Sequence, residues 1–567
     1  MRNLLLLIFF SVMAALPAQK NHNFEVSKNL EIFNAVYKTL DLYYVDTLQA
    51  NKQIVDAINY LLDGLDPYTE YYPEQDTRDL ETMTTGKYAG IGALIRYSSV
   101  KKRCVINEPY EGQPAAKAGV MSGDVILSID GEPVKVKGDE PVNDYTSSVS
   151  NRLRGDPDTE IILVVDRPGE GERTFRFKRE AIQLPAIPYY GMVTDSIGYI
   201  FLNTFTRDCY LDVEQALKEL KGKGAQSLIL DLRNNGGGLA IEAVRIVNLF
   251  VPKDKLILKM KGKTPSANSS YTTRREPLDL KIPLVVLVNA TSASSSEITC
   301  GALQDLDRAV VMGERTYGKG LVQQPRELPY GGLLKLTTSH YYIPSGRCIQ
   351  ALDYSHRGQN GEVYRTPDSL THVFKTANGR EVRDGGGITP DITVETDSLP
   401  NLISYLRVSE QLLDYLTAYR IAHPTIGPAA TFSISDEDYE IFKDSIIKSG
   451  FTYDRQTYKA LQELKKIARF EGYDKTASAE IEALEKKLQH NLAGDLDTWK
   501  KPIKELLNAE LCLRYYYNKG MMENSMRSDR VLHQAIQLLR QLWHKSTNAS
   551  IVVLPDTSSL PAVSAIT

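Results

Sequence analysis

The sequence predicts a multidomain protein of mixed α/β and α+β class: a βαβ-type core, a small β-rich module inserted before it, and helical regions at both ends. Three observations predict this. Residues 187–398 alternate apolar strand runs with helical runs, the pattern of βαβ units. Residues 85–183 hold short apolar runs bounded by turn signals. Residues 24–80 and 400–545 repeat apolar side chains at three- and four-residue steps. The chain has 567 residues; at roughly 150 residues per domain this accommodates about four domains. Apolar residues are 42% and charged residues 24%, a globular balance that excludes disorder as the main state.

Charge and cysteine content exclude other classes. With 67 basic and 71 acidic residues the net charge is −4, which gives no global attraction to nucleic acid. Cys104, Cys209, Cys300, Cys348 and Cys512 are too scattered for a disulfide framework or a zinc site. No metal or cofactor is expected.

The elements follow in order. Arg2 precedes an apolar run from Leu4 to Leu16, with Ala14, Ala15, Pro17 and Ala18 behind it. This reads as a secretory signal over 1–18, cleaved after Ala18; an uncleaved anchor is the alternative. An exported, periplasmic protein is therefore expected. Ile32, Val36, Leu40, Tyr43 and Tyr44, then Ile54, Ile58, Leu61 and Leu62, mark helices, which Leu65-Asp66-Pro67-Tyr68 ends. In the β-rich module, Ala93-Leu94-Ile95, Val125-Ile126-Leu127, Ile161–Val165 and Phe175-Arg176-Phe177 read as strands, Asp130-Gly131 as a turn and Tyr145–Leu153 as a helix. In the core, the predicted strands are Ile197–Leu202, Ser227–Leu232, Pro283–Asn289 and Ala309–Met312. The predicted helices are Asp212–Leu220, Leu239–Phe250 and Ser295–Leu306. Ser435 followed by Asp438 marks a helix start. Ser546–Thr567, rich in Ser, Thr, Pro and Ala, reads as a tail.

The chemistry concentrates at Val288-Asn289-Ala290-Thr291-Ser292-Ala293-Ser294-Ser295-Ser296-Glu297. A buried strand ends there and hydroxyls lead into a helix, whose first N–H groups can stabilise an oxyanion. The same serines could simply cap that helix. Downstream, Gly318-Lys319-Gly320 places a lysine between residues that let backbone approach closely. No histidine precedes His340 in the core, so a Ser–His–Asp triad lacks a base. A neutral lysine can activate a serine instead. His340 reads as structural.

These pieces carry a family resemblance. Leu65-Asp66-Pro67-Tyr68-Thr69, Ala89-Gly90-Ile91-Gly92, Asp231–Gly238, the serine segment, Gly318-Lys319-Gly320 with Gln323, and Pro344-Ser345-Gly346-Arg347 occur in order over about 24–395. The chain resembles the C-terminal processing peptidases, or tail-specific proteases. The resemblance implies Ser294 as nucleophile, Lys319 as general base and Gln323 as the residue orienting the lysine. It implies backbone oxyanion donors at Gly237 and Ser295. Ser295 stands where the family usually has alanine. An insertion from Ala351 to Gly386 separates Ile349-Gln350 from Gly387-Ile388-Thr389-Pro390.

The β-rich module resembles the family's PDZ domain, which binds a free chain end as an added strand. Gly90, Ile91, Gly92 and Ala93 would form the carboxylate loop, and Val149 and Leu153 the groove walls or, equally, ordinary core. The implied organisation is a signal (1–18), an amino-terminal helical segment (19–84), a PDZ-like domain (85–183), a protease core (184–398, with the 351–386 insertion), a helical domain (399–545) and the tail (546–567). The expected partners are protein or peptide substrates with free C-termini. The helical ends offer surface for self-association, and delivery of substrates by an adaptor is left open.

Two near-matches carry other readings. Gly313–Gly320 almost fits a nucleotide-binding loop, but Gly320 stands where Ser or Thr is required. Ser445-Ile446-Ile447-Lys448 fits Ser-x-x-Lys without a Lys-Thr-Gly partner. The leading expectation is an exported serine endopeptidase; the alternatives are a non-catalytic PDZ scaffold and a cell-wall acyl-transfer enzyme.

Overall fold

The computed structural model describes residues 17–74, 77–136, 138, 140–358, 361–395, 399–488 and 491–546. The expected signal up to residue 16 and the tail beyond 546 lie outside the described residues. The chain divides into two compact units.

One unit takes residues up to Thr77 together with Gln323–Thr337, so the amino-terminal region is joined by a segment distant in sequence. Its helices are Pro17–Tyr43 and Ala50–Asp63. The second stops two residues before Leu65, as the Asp-Pro signal requires. The Asp66 carboxylate then caps a turn, accepting from Tyr68 N (2.8 Å), Thr69 N (2.9 Å) and Thr69 Oγ1 (3.0 Å). The strand Glu70–Tyr72 pairs antiparallel with Leu333–Lys335.

The other unit, Arg78–Val322 with Thr338–Thr567, holds the PDZ-like module, the core and the carboxyl-terminal helices. The module is an antiparallel sheet in the order Ala93–Ser98, Arg103–Pro109, Val125–Ile129, Glu160–Arg167, Gly171–Lys178. Asp130 and Gly131, both at positive φ, make the two-residue hairpin turn predicted for them. The helix Val142–Leu153 turns Tyr145, Val149 and Leu153 inward.

The core is a six-stranded sheet ordered Tyr189–Met192, Ile197–Phe201, Ser227–Asp231, Leu284–Val288, Val310–Gly313, Ile392–Thr393. The first pair is antiparallel and the rest parallel. The two middle strands, Ser227–Asp231 and Leu284–Val288, are buried throughout, which explains their unbroken apolar runs. Helices Cys209–Gly222, Ala240–Asn248 and Ser295–Asp305 contribute to the hydrophobic core on one face of the sheet.

Helices from Asn401 to Ser525 build a further core around Leu406, Leu416, Phe442 and Leu507. Ser435 caps the helix Asp436–Lys448 by accepting from Asp438 N, as its spacing predicted. The last helix, Arg530–Ser546, does not belong to that core. Its Val531, Leu532, Ala535, Leu538 and Leu539 cover the other face of the six-stranded sheet, against Ile229, Val285, Leu287 and Met312. The final helix of the region expected as a helical domain over 399–545 thus packs on the sheet and completes the layer that the sheet needs.

The insertion 351–386, to which the sequence assigned no elements, folds as two small hairpins. These are Leu352–Arg357 with Val363–Arg365, and Val373–Lys375 with Glu381–Arg383.

Candidate active site

Adjacent parallel strands end side by side, so their carboxyl-terminal loops meet. Ser227–Asp231 leads into Leu232–Gly238, and Leu284–Val288 leads into Asn289–Ser294. Asn234 N donates to Asn289 Oδ1 (2.9 Å), and Asn289 Nδ2 returns a bond to Asn234 Oδ1 (2.8 Å). Ala293 N and Ser296 Oγ both donate to Asn235 O, at 3.1 and 2.8 Å. Buried Asn235 reaches Leu202 O through Nδ2 (2.7 Å), which pins the glycine turn beneath the serine segment.

Ser294 sits at φ 56°, ψ −115°, immediately before the helix Ser295–Asp305. An L-residue rarely adopts this conformation, because Cβ crowds the backbone there. Ser294 is partly exposed at this turn, while Ser292, Ala293 and all of Ser295–Asp305 are buried. Strand-to-helix turns of hydrolases use the same kind of strain to present a nucleophile. The surroundings hold it, with Tyr341 Oη donating to Ser294 O at 3.2 Å.

Glu297 ties this turn to the lysine loop. Its side chain is fully buried and both oxygens are used. Oε2 accepts from Ser294 N and from Lys319 N, each at 2.9 Å. Oε1 accepts from Thr316 Oγ1 at 2.6 Å and Gly318 N at 2.8 Å. One carboxylate oxygen therefore fixes the backbones of residues 294 and 319 together. Burial pushes the Glu297 carboxyl above its ordinary range, against the pull of these four donors. The sequence contained the clue: Glu three residues after Ser is the spacing of a capping box.

The other expected site residues fare differently. Ser295 stands next to Ser294 as expected, and its hydroxyl donates to Gly238 O (2.9 Å), a bond alanine could not make. Gly237 lies against the site: a Cβ there would come within 2.8 Å of Ser294 Cβ and 2.9 Å of Ser295 N. Its expected role as an N–H donor needs correction. The Gly237 N–H is already bonded to Asn235 Oδ1 at 2.8 Å, because a buried asparagine closes a turn onto the amide two residues on. Gln323 Nε2 donates to Thr337 Oγ1 at 3.0 Å, and that hydroxyl donates to Asp66 Oδ1 at 3.2 Å. His340 lies on the strand Leu333–Tyr342.

In the PDZ-like module the strand Ala93–Ser98 ends the sheet order, so among the described residues one of its edges has no strand partner. A cavity of about 340 Å³ lies there, lined among others by Ile91, Ala93, Ile95, Ser147, Ser150 and Leu153. One expectation changes, and one of two open readings is taken. Gly90 closes the strand Lys87–Gly90, paired with Glu180, and leaves the turn to Ile91 and Gly92. Val149, 2% exposed, belongs to the module's core; the helix offers Ser147 and Ser150 to the groove instead, because they lie on its adjoining face. The carbonyls of Ile91 and Gly92 are taken by Ala115 N and Tyr110 N, both at 2.9 Å.

Comparison with known proteins identifies the family and its domains. Residues 196–354 match the model of "Peptidase family S41". Residues 105–167 match "PDZ domain" and 402–539 match "Probable PDZ-protease, C-terminal helical domain". A "Probable CtpA-like serine protease" of Staphylococcus aureus (strain MSSA476) is 30% identical over 443 residues, 77% of this chain and 75% of that protein. A "Carboxy-terminal-processing protease" of Bartonella bacilliformis is 32% identical over 353 residues, 61% of this chain and 79% of that protein. Among solved structures, the photosystem II D1 C-terminal processing protease is 27% identical, covering 65% of this chain and 88% of that one, with a TM-score of 0.35. The chain belongs to peptidase family S41, the C-terminal processing serine proteases.

Proposed function

We propose that the chain is an exported endopeptidase that holds the C-terminal tail of a protein substrate in its PDZ groove and cleaves upstream with a Ser294–Lys319 dyad. The observation that carries this reading is the Glu297 Oε2 atom, bonded to the backbones of both residues, with Ser294 in a strained, partly exposed turn.

Lys319, when neutral, takes the Ser294 Oγ proton as Oγ attacks the peptide carbonyl. The tetrahedral oxyanion forms near the helix start, where Ser295 N–H is the nearest donor in sequence. A second donor from Gly237 requires its bond to Asn235 to open. The protonated lysine then gives its proton to the leaving amine, and water releases the acyl group from Ser294. Tethering a tail in the groove raises the local concentration of the bond to be cut. Export rests on the apolar segment of residues 1–18.

The test is cleavage of a denatured protein followed by mass spectrometry. Ser294→Ala and Lys319→Ala each abolish product formation, while the wild type yields fragments ending near the substrate's tail. Activity retained in either variant rejects the dyad.

A further inference from the structure

Beside the lysine loop the structure holds a concentration of arginines that the dyad does not use. A cavity of about 600 Å³ is lined by Arg315, Asp368, Ser369, Arg383 and Thr389. Arg315 directly precedes Thr316, whose hydroxyl bonds Glu297, and lies four residues before Lys319. Thr389 directly follows Ile388, whose N–H donates to the same Thr316 hydroxyl at 2.7 Å. Asp368 and Arg383 come from the insertion. The cavity is therefore built where the insertion joins the catalytic loop.

The guanidinium groups are held by side chains and backbone of the insertion. Arg315 lies against Gly386 so closely that a Cβ there would overlap its Nη2. Its Nη2 reaches Asp368 at 3.0 Å, and among the described residues its buried Nε has no acceptor. Arg365 Nη2 donates to Gly386 O at 2.9 Å, and Arg383 Nη1 to Thr371 Oγ1 at 3.2 Å. The hydrogen bond from Arg315, then its charge and those of Arg365 and Arg383, hold the Asp368 carboxyl below its ordinary range. Arg315 and Arg383 line the cavity, Arg365 meets it through Gly386, which Arg315 also touches, and the largely exposed Asp368 carboxylate pairs with Arg315 there.

We propose that Arg315, Arg365 and Arg383 form a subsite for a substrate carboxylate, with the insertion supplying two of the three arginines. Arginine suits this task, because its fixed fork of donors matches a carboxylate and its charge persists at every working pH. The subsite rests on the proteolytic reading of Ser294 and Lys319. It gives the enzyme a preference for an acidic residue, or for a terminal carboxylate, near the bond that is cut.

The experiment uses the full chain and short synthetic peptides, each made with Glu, Gln or Lys at a single position and with a free or amidated C-terminus. For the wild type, kcat/KM favours Glu over Gln at one position by on the order of tenfold, as expected for one charge-assisted contact. Arg383→Gln and Arg365→Gln each reduce that ratio, and Arg383→Glu inverts it toward Lys-containing peptides. Arg383→Lys retains part of it. A preference that follows the free terminus identifies the terminal carboxylate as the source. An active wild type with no charge preference, or a preference that survives Arg383→Glu and Arg365→Glu, overturns the subsite and leaves the dyad standing. A wild type that cleaves nothing rejects the proteolytic reading itself, and the subsite with it.

Discussion

At the scale of single residues, Glu297 does more than cap a helix. Its two oxygens collect four donors, from Ser294, Lys319, Thr316 and Gly318. Glutamine keeps the shape but offers one oxygen in place of two, so at least one buried N–H loses its acceptor. Such a loss costs about 1–3 kcal/mol, and a cost carried into the transition state lowers the rate roughly tenfold per 1.4 kcal/mol. Glu297→Gln is expected to lower kcat by on the order of 10- to 100-fold and to leave KM for tailed substrates nearly unchanged, since the PDZ groove is not touched. A steady-state comparison decides it. Unaltered kcat removes Glu297 from the positioning of the dyad, and a rise in KM alone assigns it to binding. This residue also shows what was legible. Ser294 and Lys319 stood out because their motifs are local in sequence. The Ser294–Glu297 bond has a capping-box spacing, but the bonds from Glu297 to the lysine loop join residues 21 and 22 apart along the chain, and no spacing rule reports those.

At the scale of elements, the PDZ-like module leaves one face open, the groove proposed for substrate tails, and docks another on the carboxyl-terminal helices. The groove lies between the edge strand Ala93–Ser98 and the helix Val142–Leu153. Ser147 is exposed and lines it, so Ser147→Trp fills the groove without disturbing the core. The expected outcome is a kcat/KM lowered at least about tenfold for a tailed protein, the equivalent of one lost contact of about 1.4 kcal/mol. Short peptides that bypass the groove are cut as before. Equal loss on both substrates rejects the tethering model. The docked face joins a small buried apolar cluster, Val105, Val125 and Leu413, to polar contacts at its margin: Lys101 pairs with Asp414 at 2.6 Å, Arg96 donates to Val408 O at 3.2 Å, and Asn518 donates to Glu108 Oε1 at 3.0 Å. Burial raises the Glu108 carboxyl above its ordinary range. The sign follows from linkage. A carboxyl with a raised folded-state pKa contributes stability that is fully present below the unfolded pKa and lost as pH rises through the folded one. Glu108→Gln keeps the acceptor for Asn518 and removes the buried charge. Its unfolding midpoint is expected to exceed the wild type's at pH 8 and to converge on it toward pH 4. A midpoint difference that does not change with pH places the effect in packing instead.

At the scale of the whole molecule, the sequence order of the domains misleads. The helix Arg530–Ser546 follows a long helical region and shares its periodicity, so it reads as part of that region. An apolar stripe says that a helix packs, not on what. The structure lays it on the open face of the catalytic sheet, where Val531, Leu532, Ala535, Leu538 and Leu539 meet the strands. Each fully buried aliphatic side chain contributes about 1.5–3 kcal/mol, so this one helix supplies an amount comparable to the ~5–15 kcal/mol net stability of a typical domain. Asp529, just before it, pairs with both Arg233 nitrogens at 3.0 and 2.6 Å, and Arg233 opens the turn that leads to Asn235 and Gly237. The last helix therefore closes the core and clamps the strand end that leads to the turn against Ser294. A chain ending at Ser528 retains every catalytic motif and the PDZ-like module, yet is expected to be insoluble, because it exposes the apolar sheet face. Asp529→Asn is the milder test. It leaves Arg233 with Asp231 as its remaining carboxylate partner and is expected to cost about 1–3 kcal/mol, below the 3–5 kcal/mol of a fully buried pair because both side chains keep some exposure. Denaturant unfolding measures that loss, and proteolysis of a denatured protein measures whether the turn still supports catalysis. A soluble, fully active chain ending at Ser528 would show that the helix only shelters the sheet; loss of activity in Asp529→Asn at temperatures where it stays folded ties the C-terminal helix to the active site through Arg233.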